Sequence, residues 1–296
     1  MISSILAIGR IAAKTLSADA EGRVLAVFSR SLYLQALGGE LACIGEPSLG
    51  RGPLNAIVGE LIDLDRLRPG AAWRRQDDEI AIDGIKGFAI RAVEPWRPPR
   101  ITERMPPSVA FAILTAFASR HAPTDGLGPM VSPLLSGDAL TPSPGALSRA
   151  AAGPLAALRD WISSDALGEP PAEIASLLGL GPGLTPSGDD ALGGALIALR
   201  AYGRTDAANR LADRLNASAA TATSTISRAH LACAIDGEGH ESLHDALAAL
   251  ASADRDRIVA AAVRLAAVGH SSGWDALAGV AAVLAGLLPS ADQRQR

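Results

Sequence analysis

One glycine-rich stretch near the middle of the chain carries the residue types best suited to bind an anion. Residues 179–190 have the sequence Gly-Leu-Gly-Pro-Gly-Leu-Thr-Pro-Ser-Gly-Asp-Asp. Glycine at every second position lets the backbone adopt positive φ and approach a ligand closely. The helix predicted directly after the stretch presents unpaired N–H groups and a partial positive charge. We therefore predict a binding site for phosphate or carboxylate at this point.

The stretch supplies amides and hydroxyls for an oxyanion and, at its end, two adjacent carboxylates. Asp189 and Asp190 suit a Mg²⁺ ion that bridges phosphate oxygens, and magnesium is the only cofactor that the sequence suggests. Favourable interaction with the N-terminal dipole of the helix explains the two aspartates equally well. The residues predicted to hold the phosphate are Gly181, Gly183, Thr185, Ser187 and Gly188.

A second stretch repeats the end of the first. Residues 187–194 and 272–279 are identical at six of eight positions, 85 residues apart, and each opens a predicted helix. Two helix N-termini that converge on one cavity suit an anionic ligand. We predict proton transfer or oxyanion stabilisation by His270 and Ser272, with Asp190 as the third catalytic candidate. The other predicted ligand contacts of the second stretch are Ser271, Gly273 and Asp275.

A purely structural explanation of the repeat is the capping box. In that arrangement Ser187 bonds the N3 amide while Asp190 reaches back, and Ser272 and Asp275 do the same. The glycines at the end of each repeat would then be explained by close helix–helix contact about a pseudo-twofold axis. Capping requires neither the alternating glycines nor a carboxylate at Asp189, so we favour the ligand site.

Two further polar clusters are weaker candidates. Ser227 and Arg228 begin another predicted helix, where a hydroxyl row beside an arginine suits phosphate or carboxylate; a capped helix start with a polar outer face explains them equally well. Asn55 closes the turn Arg51-Gly-Pro-Leu-Asn55 and is a candidate ligand contact, although a solvent-exposed turn explains this pattern better. Residues 125–129 repeat the Gly-Leu-Gly-Pro of the central stretch, which chance explains in a chain with 30 glycines.

The composition excludes several classes of partner. Hydrophobic residues make up 48% of the chain and charged residues 20%, which is enough for a sizeable core. The net charge of −4 and the absence of a basic run argue against nucleic acid. The apolar run 276–288 is too short to span a bilayer, and the N-terminus is a poor signal peptide. With Cys43 and Cys233 interpreted as buried free thiols, we expect a cytoplasmic protein that contacts no membrane.

The pattern of short and long apolar segments predicts an α+β protein. Residues 1–98 form a β-rich domain, either a small barrel or a sandwich, because short apolar runs alternate with Gly, Pro and Asp turns. Residues 99–145 form a Pro/Gly-rich linker with one helix, and residues 146–296 form a helical bundle that carries the anion site. The predicted strands are 24–28, 32–34, 41–44, 55–62, 79–82 and 87–93. The predicted helices are 109–121, 146–163, 171–178, 189–202, 206–218, 224–235, 238–251, 254–268 and 273–288.

Three motifs in the second half resemble one bacterial family. These are residues 179–190, Ser224-Thr-Ile-Ser227 and Gly269-His-Ser-Ser-Gly-Trp-Asp275. The family was first catalogued as a domain of unknown function and includes a subunit of the multi-subunit oxamate carbamoyltransferase of anaerobic allantoin breakdown. The resemblance extends through the β-rich half, with residues 51–55 in the expected place.

The resemblance implies a subunit of a carbamoyltransferase that converts oxalurate and phosphate to oxamate and carbamoyl phosphate, or a related enzyme that handles carbamoyl or acyl phosphates. Its expected ligands are small anions (carbamoyl phosphate, phosphate, oxamate or oxalurate), and its expected partners are the other subunits of a hetero-oligomer. The alternatives are a non-catalytic subunit that binds an anionic metabolite and a Mg²⁺-dependent hydrolase that uses the paired aspartates. Family membership alone does not establish the substrate.

Overall fold

The chain divides into two compact units, Met1–Pro98 and Pro99–Arg296. The structure is a computed structural model, and it describes residues 3–60, 64–90, 93–101, 106–137, 140, 145–166 and 168–288. Each unit has its own hydrophobic core.

The first unit is a closed eight-stranded barrel with the strand order β1-β5-β4-β3-β2-β6-β7-β8. Its strands are β1 (Ser3–Ile8), β2 (Glu21–Val27), β3 (Ser31–Ala36), β4 (Leu41–Gly45), β5 (Asn55–Val58), β6 (Ala72–Gln76), β7 (Glu79–Ile82) and β8 (Ile85–Ala89). A short helix, α1 (Arg10–Thr15), follows β1. Most neighbouring strands are antiparallel, but β1 pairs with β8, and β4 with β5, in parallel. The parallel pair β1–β8 closes the barrel.

The barrel confirms the predicted α+β class and decides between the two architectures that the sequence left open. Alternating burial explains why the strands were recognisable, as in β3, where Leu32 and Leu34 point into the core. Two strands were not predicted. β1 lies within the N-terminal apolar run, and β6 carries Arg74 and Arg75 around a single buried side chain, Trp73.

The second unit is helical. Its helices are α2 (Ser108–His121), α3 (Gly128–Ser136), α4 (Ala146–Ser163), α5 (Ser187–Ala201), α6 (Thr205–Ala222), α7 (Thr225–Ile235), α8 (Glu241–Ser252), α9 (Arg255–Ala266) and α10 (Ser272–Leu287). The segment 171–178, predicted as a helix, contains a 3-10 turn at Ala172–Leu177. α5 and α10 are the central pair and pack against each other more extensively than any other two helices. Within the described residues, no helix combines the length and apolar character needed to cross a bilayer.

The segment 99–145 differs from its prediction as a linker with one helix, because it contains both α2 and α3. Pro129 and Pro133 made α3 look like a loop, but proline is compatible with the first turn of a helix, and α3 contains the second proline as well. Met130, Val131 and Leu134 of α3 are buried in the helical core. The segment therefore helps to form the core that supports the candidate site.

Candidate functional site

The two repeated stretches begin the two central helices, and their contacts are reciprocal. A Cβ atom on Gly194 of α5 would lie 2.0 Å from the carbonyl oxygen of Ala276, and one on Gly279 of α10 would lie 1.8 Å from that of Ala191. Each glycine therefore allows the backbone of the other helix to approach. Both contacts pair positions that are related by the same 85-residue offset, which is the pattern of a local twofold relation. The predicted close contact of the two helices is confirmed.

The capping boxes are not formed. Ser187 and Ser272 are the first helical residues, the N-caps are Pro186 and Ser271, and neither N-cap makes a side-chain capping bond. The serines face the opposite helix instead: Ser272 lies beside the Asp190 carboxyl group, and Ser187 lies beside Asp275. Each serine therefore interacts with the carboxyl group of the other repeat.

A cavity of about 590 Å³ lies where the starts of α4, α5 and α10 meet. Its wall combines serine and threonine hydroxyls with apolar side chains such as Leu147 and Leu184, and its volume falls in the range of small-molecule sites. Residues from the first turns of these helices line the cavity, and the partial positive charge of a helix N-terminus favours an anion there. The lining residues come from four segments: Thr124–Gly126, Gly145–Ser148, Pro182–Thr185 with Ser187, and His270–Ser272.

The glycine-rich loop has the backbone conformation that its sequence predicts. Gly179, Gly181 and Gly183 have φ values of 72°, 114° and 98°. These values lie in the region that favours glycine, so a side chain at these positions would strain the loop. Gly183 also has open space where a Cβ would stand, on the side of the cavity that it lines. The loop therefore presents its backbone to the cavity.

Asp189 anchors this loop from behind. Its side chain is buried, at 2% exposure, and Oδ1 accepts a 2.8 Å hydrogen bond from the amide of Gly179. Oδ2 accepts hydrogen bonds from the hydroxyls of Thr223 and Ser227, the latter at 2.6 Å. Ser224, the N-cap of α7, donates to the Leu184 carbonyl at 2.6 Å. The residues at the start of α7 therefore hold the loop at two points, at Gly179 through Asp189 and at Leu184 directly.

The carboxylate of Asp189 already accepts three hydrogen bonds, so it is a poor Mg²⁺ ligand in this arrangement. The described residues also contain no cluster of three or more His, Cys, Asp or Glu side chains arranged to hold a metal ion. The Mg²⁺ prediction itself stays untested, and our proposals use no metal.

The two equivalent carboxyl groups, Asp190 and Asp275, are held differently. Asp275 is 1% exposed and accepts hydrogen bonds from the Leu127 amide at 2.6 Å and the Ser271 hydroxyl at 2.8 Å. Oδ2 of Asp190 is also buried, but it has no hydrogen-bond partner within the described part of the chain. Burial raises the pKa of both groups. For Asp190 the pKa stands well above its ordinary range, and the negative charges of Asp275 and Asp189 add to that effect.

His270 lies at the mouth of the cavity and is largely exposed. Its Nε2 is 3.7 Å from Oδ2 of Asp125, which is exposed as well. Such a pair is well solvated and contributes little to stability.

The structure places six of the fifteen predicted site residues on the cavity wall and four more directly behind it. Gly183, Thr185, Ser187, His270, Ser271 and Ser272 line the cavity. Asp190 and Asp275 lie directly behind the serines, and Asp189 and Ser227 form the anchor of the loop. Whether any of these residues contacts a ligand stays a prediction.

The remaining predicted residues have other surroundings. Gly188 and Gly273 pack tightly on the carbonyl oxygens of Leu177 and Leu265, and Gly181 packs on the amide of Ser187. Arg228 donates to the Thr223 carbonyl at 2.9 Å. In the barrel, Asn55 is buried in β5, and its side-chain amide donates to the Gly50 carbonyl at 2.9 Å. The turn is thus held internally at Asn55, whereas Arg51 is exposed.

Two cavity segments were not predicted: residues 124–126 and 145–148. The sequence signal for residues 124–126 was the repeated Gly-Leu-Gly-Pro, which we had explained by chance. In the structure Gly126, with φ 70°, packs on Asp275 and Ser271, and the next amide binds Asp275. The second segment left no sequence signal, because the start of α4 carries no polar motif besides Ser148, whose hydroxyl donates to the Gly126 carbonyl.

The cavity lies in the helical unit, where the two repeated helix starts meet. Residues 177–284 match the family model described as oxamate carbamoyltransferase subunit AllH. The predicted resemblance to this family is thereby confirmed over a range that contains both repeated stretches and the α7 anchor. The expected extension into the barrel lies outside the matched residues. No solved structure matches the chain.

Proposed function

We propose that the chain is a subunit of a carbamoyltransferase and that the cavity at the starts of α4, α5 and α10 binds its small anionic substrate. The observation that carries this proposal is the meeting of both repeated helix starts and the glycine loop at one cavity. The name of the matched family supplies the reaction class and implies partner subunits.

The reaction that fits is the conversion of oxalurate and phosphate to oxamate and carbamoyl phosphate. A phosphate oxygen attacks the carbamoyl carbon, a C–O bond forms, and the C–N bond to the oxamate nitrogen breaks. The proton that HPO₄²⁻ brings ends on that nitrogen, so atoms and charge balance. The chemistry needs positioning, stabilisation of the developing oxyanion and a route for one proton, and helix amides with serine and threonine hydroxyls supply the first two.

The test is carbamoyl phosphate formation from oxalurate and phosphate by the purified chain, alone and with co-expressed candidate subunits. Loss of the Ser272 hydroxyl in Ser272→Ala should lower kcat/KM by roughly 10²-fold if it stabilises the transition state. Ser136→Ala is the matched control, because the Ser136 hydroxyl bonds to carbonyl groups of its own helix and the residue does not line the cavity. Unchanged activity in Ser272→Ala and His270→Ala would contradict the assignment.

A second candidate function is a non-catalytic subunit that binds an anionic metabolite. The observation that favours it is the position of His270, the imidazole of the cavity wall, which is exposed at the mouth. Calorimetric binding of phosphate or oxamate without turnover in any combination of subunits would support this alternative over catalysis.

A further inference from the structure

A second, smaller cavity lies on the surface of the helical unit, between α2 and α9. Its volume is about 110 Å³, which is well below the range of small-molecule sites. Its lining combines apolar side chains with basic ones. The apolar side chains include Ile113, Phe117 and Val259, and the basic ones are Arg120, His121 and Arg255. Its small size and mixed lining suit a side chain of another protein better than a separate ligand.

Exposed valines extend the apolar part of this surface. Val109 lies one helical turn from Ile113 on α2, and Val263 lies one turn from Val259 on α9. Val109 and Val263 are 50% and 53% exposed. An apolar strip that is exposed beside charged residues is typical of a protein–protein contact. We call this surface the α2–α9 face and define it by Val109, Ile113 and Arg120 of α2 and Arg255, Val259 and Val263 of α9.

The charge of the α2–α9 face is positive at the small cavity. Neither Arg120 nor Arg255 has a carboxylate partner among the residues that the structure describes. The acidic residues next to Arg255 in the sequence, Asp254 and Asp256, do not line the cavity, and Asp254 accepts a hydrogen bond from the Arg257 amide as the N-cap of α9. Two arginines at one small cavity repel each other, and a carboxylate between them removes this repulsion through charge-assisted hydrogen bonds.

We propose that the α2–α9 face binds a partner subunit, through a segment that places an apolar side chain in the small cavity and carboxylates between Arg120 and Arg255. This inference rests on the proposed function, which implies partner subunits. A second copy of the chain is a poorer occupant, because a symmetric contact places the same arginines opposite each other. A small anion is also a poorer occupant, because it leaves the apolar strip exposed.

The α2–α9 face is connected to the candidate site by two stacked rings. Phe117 of the small cavity stacks on Trp274, with 5.7 Å between the ring centroids and 10° between the ring planes. Trp274 is buried in the first turn of α10, two residues after Ser272 of the candidate site. A subunit on this face therefore contacts, through the two rings, the helix start that lines the site. This position agrees with a partner that acts in the same reaction.

Photo-cross-linking tests the location of the contact. The full chain with p-benzoylphenylalanine in place of Val263 is co-expressed with the candidate subunits and irradiated. We expect a cross-link to an acidic, amphipathic segment of one subunit. The same replacement at Leu37, which is 78% exposed in the barrel, is the matched control and should give no cross-link to that segment. A cross-link from position 263 only to a second copy of the chain would overturn the inference, as would a complex that gives no cross-link there.

Charge reversal tests the predicted carboxylates. The double variant Arg120→Glu, Arg255→Glu should bind the subunit roughly tenfold or more weakly, and lysine in place of the carboxylates of the cross-linked segment should restore binding. Arg257→Glu is the matched control, because Arg257 is exposed on the same helix and does not line the small cavity. It should bind like the original chain. An equal loss in Arg257→Glu, or no loss in the double variant, would overturn the inference.

Calorimetric binding of sulfate, a phosphate analogue, keeps this inference separate from the proposed anion site. Each variant should bind sulfate like the original chain, because Arg120, Arg255 and Val263 do not line the candidate site. A chain that binds sulfate but associates with none of the candidate subunits would overturn this inference and leave the anion site in place. A chain that forms the cross-linked complex but binds no sulfate would contradict the anion site and leave the docking surface in place.

Discussion

The buried carboxyl group of Asp190 should make the stability of the chain depend on pH. Its raised pKa means that the folded chain keeps a proton that the unfolded chain releases above about pH 3.8. Stability therefore falls as the pH rises from that value through the folded-state pKa. Asp190→Asn removes this penalty and should unfold at a higher denaturant midpoint at pH 8.

Below about pH 3.5 the advantage of Asp190→Asn should vanish, because Asp190 is protonated in both states. Chemical denaturation at the two pH values checks the prediction. A variant that is less stable than the original at pH 8 would show that the carboxylate form is the native one.

The histidines of α8 should make the chain acid-sensitive. Nε2 of His244 accepts a 3.0 Å hydrogen bond from the Gly239 amide, and burial lowers the pKa of His244 from 6.5 to about 4, with the charge of His240 as a second cause. Stability should therefore be lost as the pH falls from 6.5 towards 4, by up to roughly 3 kcal/mol for a shift of this size. His244→Gln should flatten this part of the profile, because its side-chain oxygen still accepts from Gly239.

The exposed His121 is the comparison for His244. His121→Gln is measured beside it as the same substitution at an exposed imidazole. Thermal unfolding at intervals across this range gives the measurement. If the stability of both variants depended on pH in the same way, His244 would not control the loss of stability between pH 6.5 and pH 4.

At the scale of elements, the crossing of α5 and α10 should tolerate a methyl group at one glycine but not at its neighbour. Gly194→Ala and Gly279→Ala place a Cβ within 2.0 Å and 1.8 Å of a carbonyl oxygen, so the helices must separate. We expect a loss of roughly 1–3 kcal/mol or more in each case. Gly193→Ala meets only the Cβ of Ala234, at 3.7 Å, and should gain up to about 1 kcal/mol from helix propensity.

Urea unfolding of the three glycine variants tests this difference. If all three lost the same free energy, the effect would come from the helix itself rather than from the crossing.

The anchor between α7 and the glycine loop gives a second prediction at this scale. Ser227→Ala removes a buried donor to the Asp189 carboxylate and should cost about 1–3 kcal/mol. The loop should also become more accessible, seen as faster amide exchange at residues 179–186. Thr221→Val is the control, because the Thr221 hydroxyl is exposed and bonds only to the Ser218 carbonyl at 3.4 Å. Equal exchange rates in both variants would argue against an anchoring role.

Local patterns in the sequence predicted most elements of both units but not the partners of the site residues. The bounds of α4 and the positive φ of the loop glycines follow from nearby residues, and both were predicted. The contact of each serine, Ser187 and Ser272, with the aspartate of the other repeat was not predicted, because Ser-x-x-Asp before an apolar run has the same sequence pattern as a capping box. Only the crossing of two helices 85 residues apart decides between a capping box and a contact across the two repeats. The role of Asp189 likewise depends on Thr223 and Ser227, which lie 34 and 38 residues away from it along the chain.

At the scale of the whole molecule, the two units have separate cores, and the whole cavity belongs to the helical one. We expect residues 99–296, expressed alone, to unfold cooperatively and to bind sulfate with an affinity close to that of the full chain. Circular dichroism and calorimetry of this fragment check the prediction. A fragment that folds but binds no sulfate would show that the barrel contributes to the site.

The parallel pairing of β1 with β8 has a consequence for how the chain matures. Ser3 and Ser4 pair with Phe88 and Ala89, so the first strand of the barrel cannot complete both its ladders until the last strand of the barrel has been made. Pairing across such a separation is slow, and unpaired strand edges invite association with other chains. The barrel therefore stays open while it is being synthesised. Conditions that slow translation or crowd nascent chains should increase the aggregation of this half of the protein first.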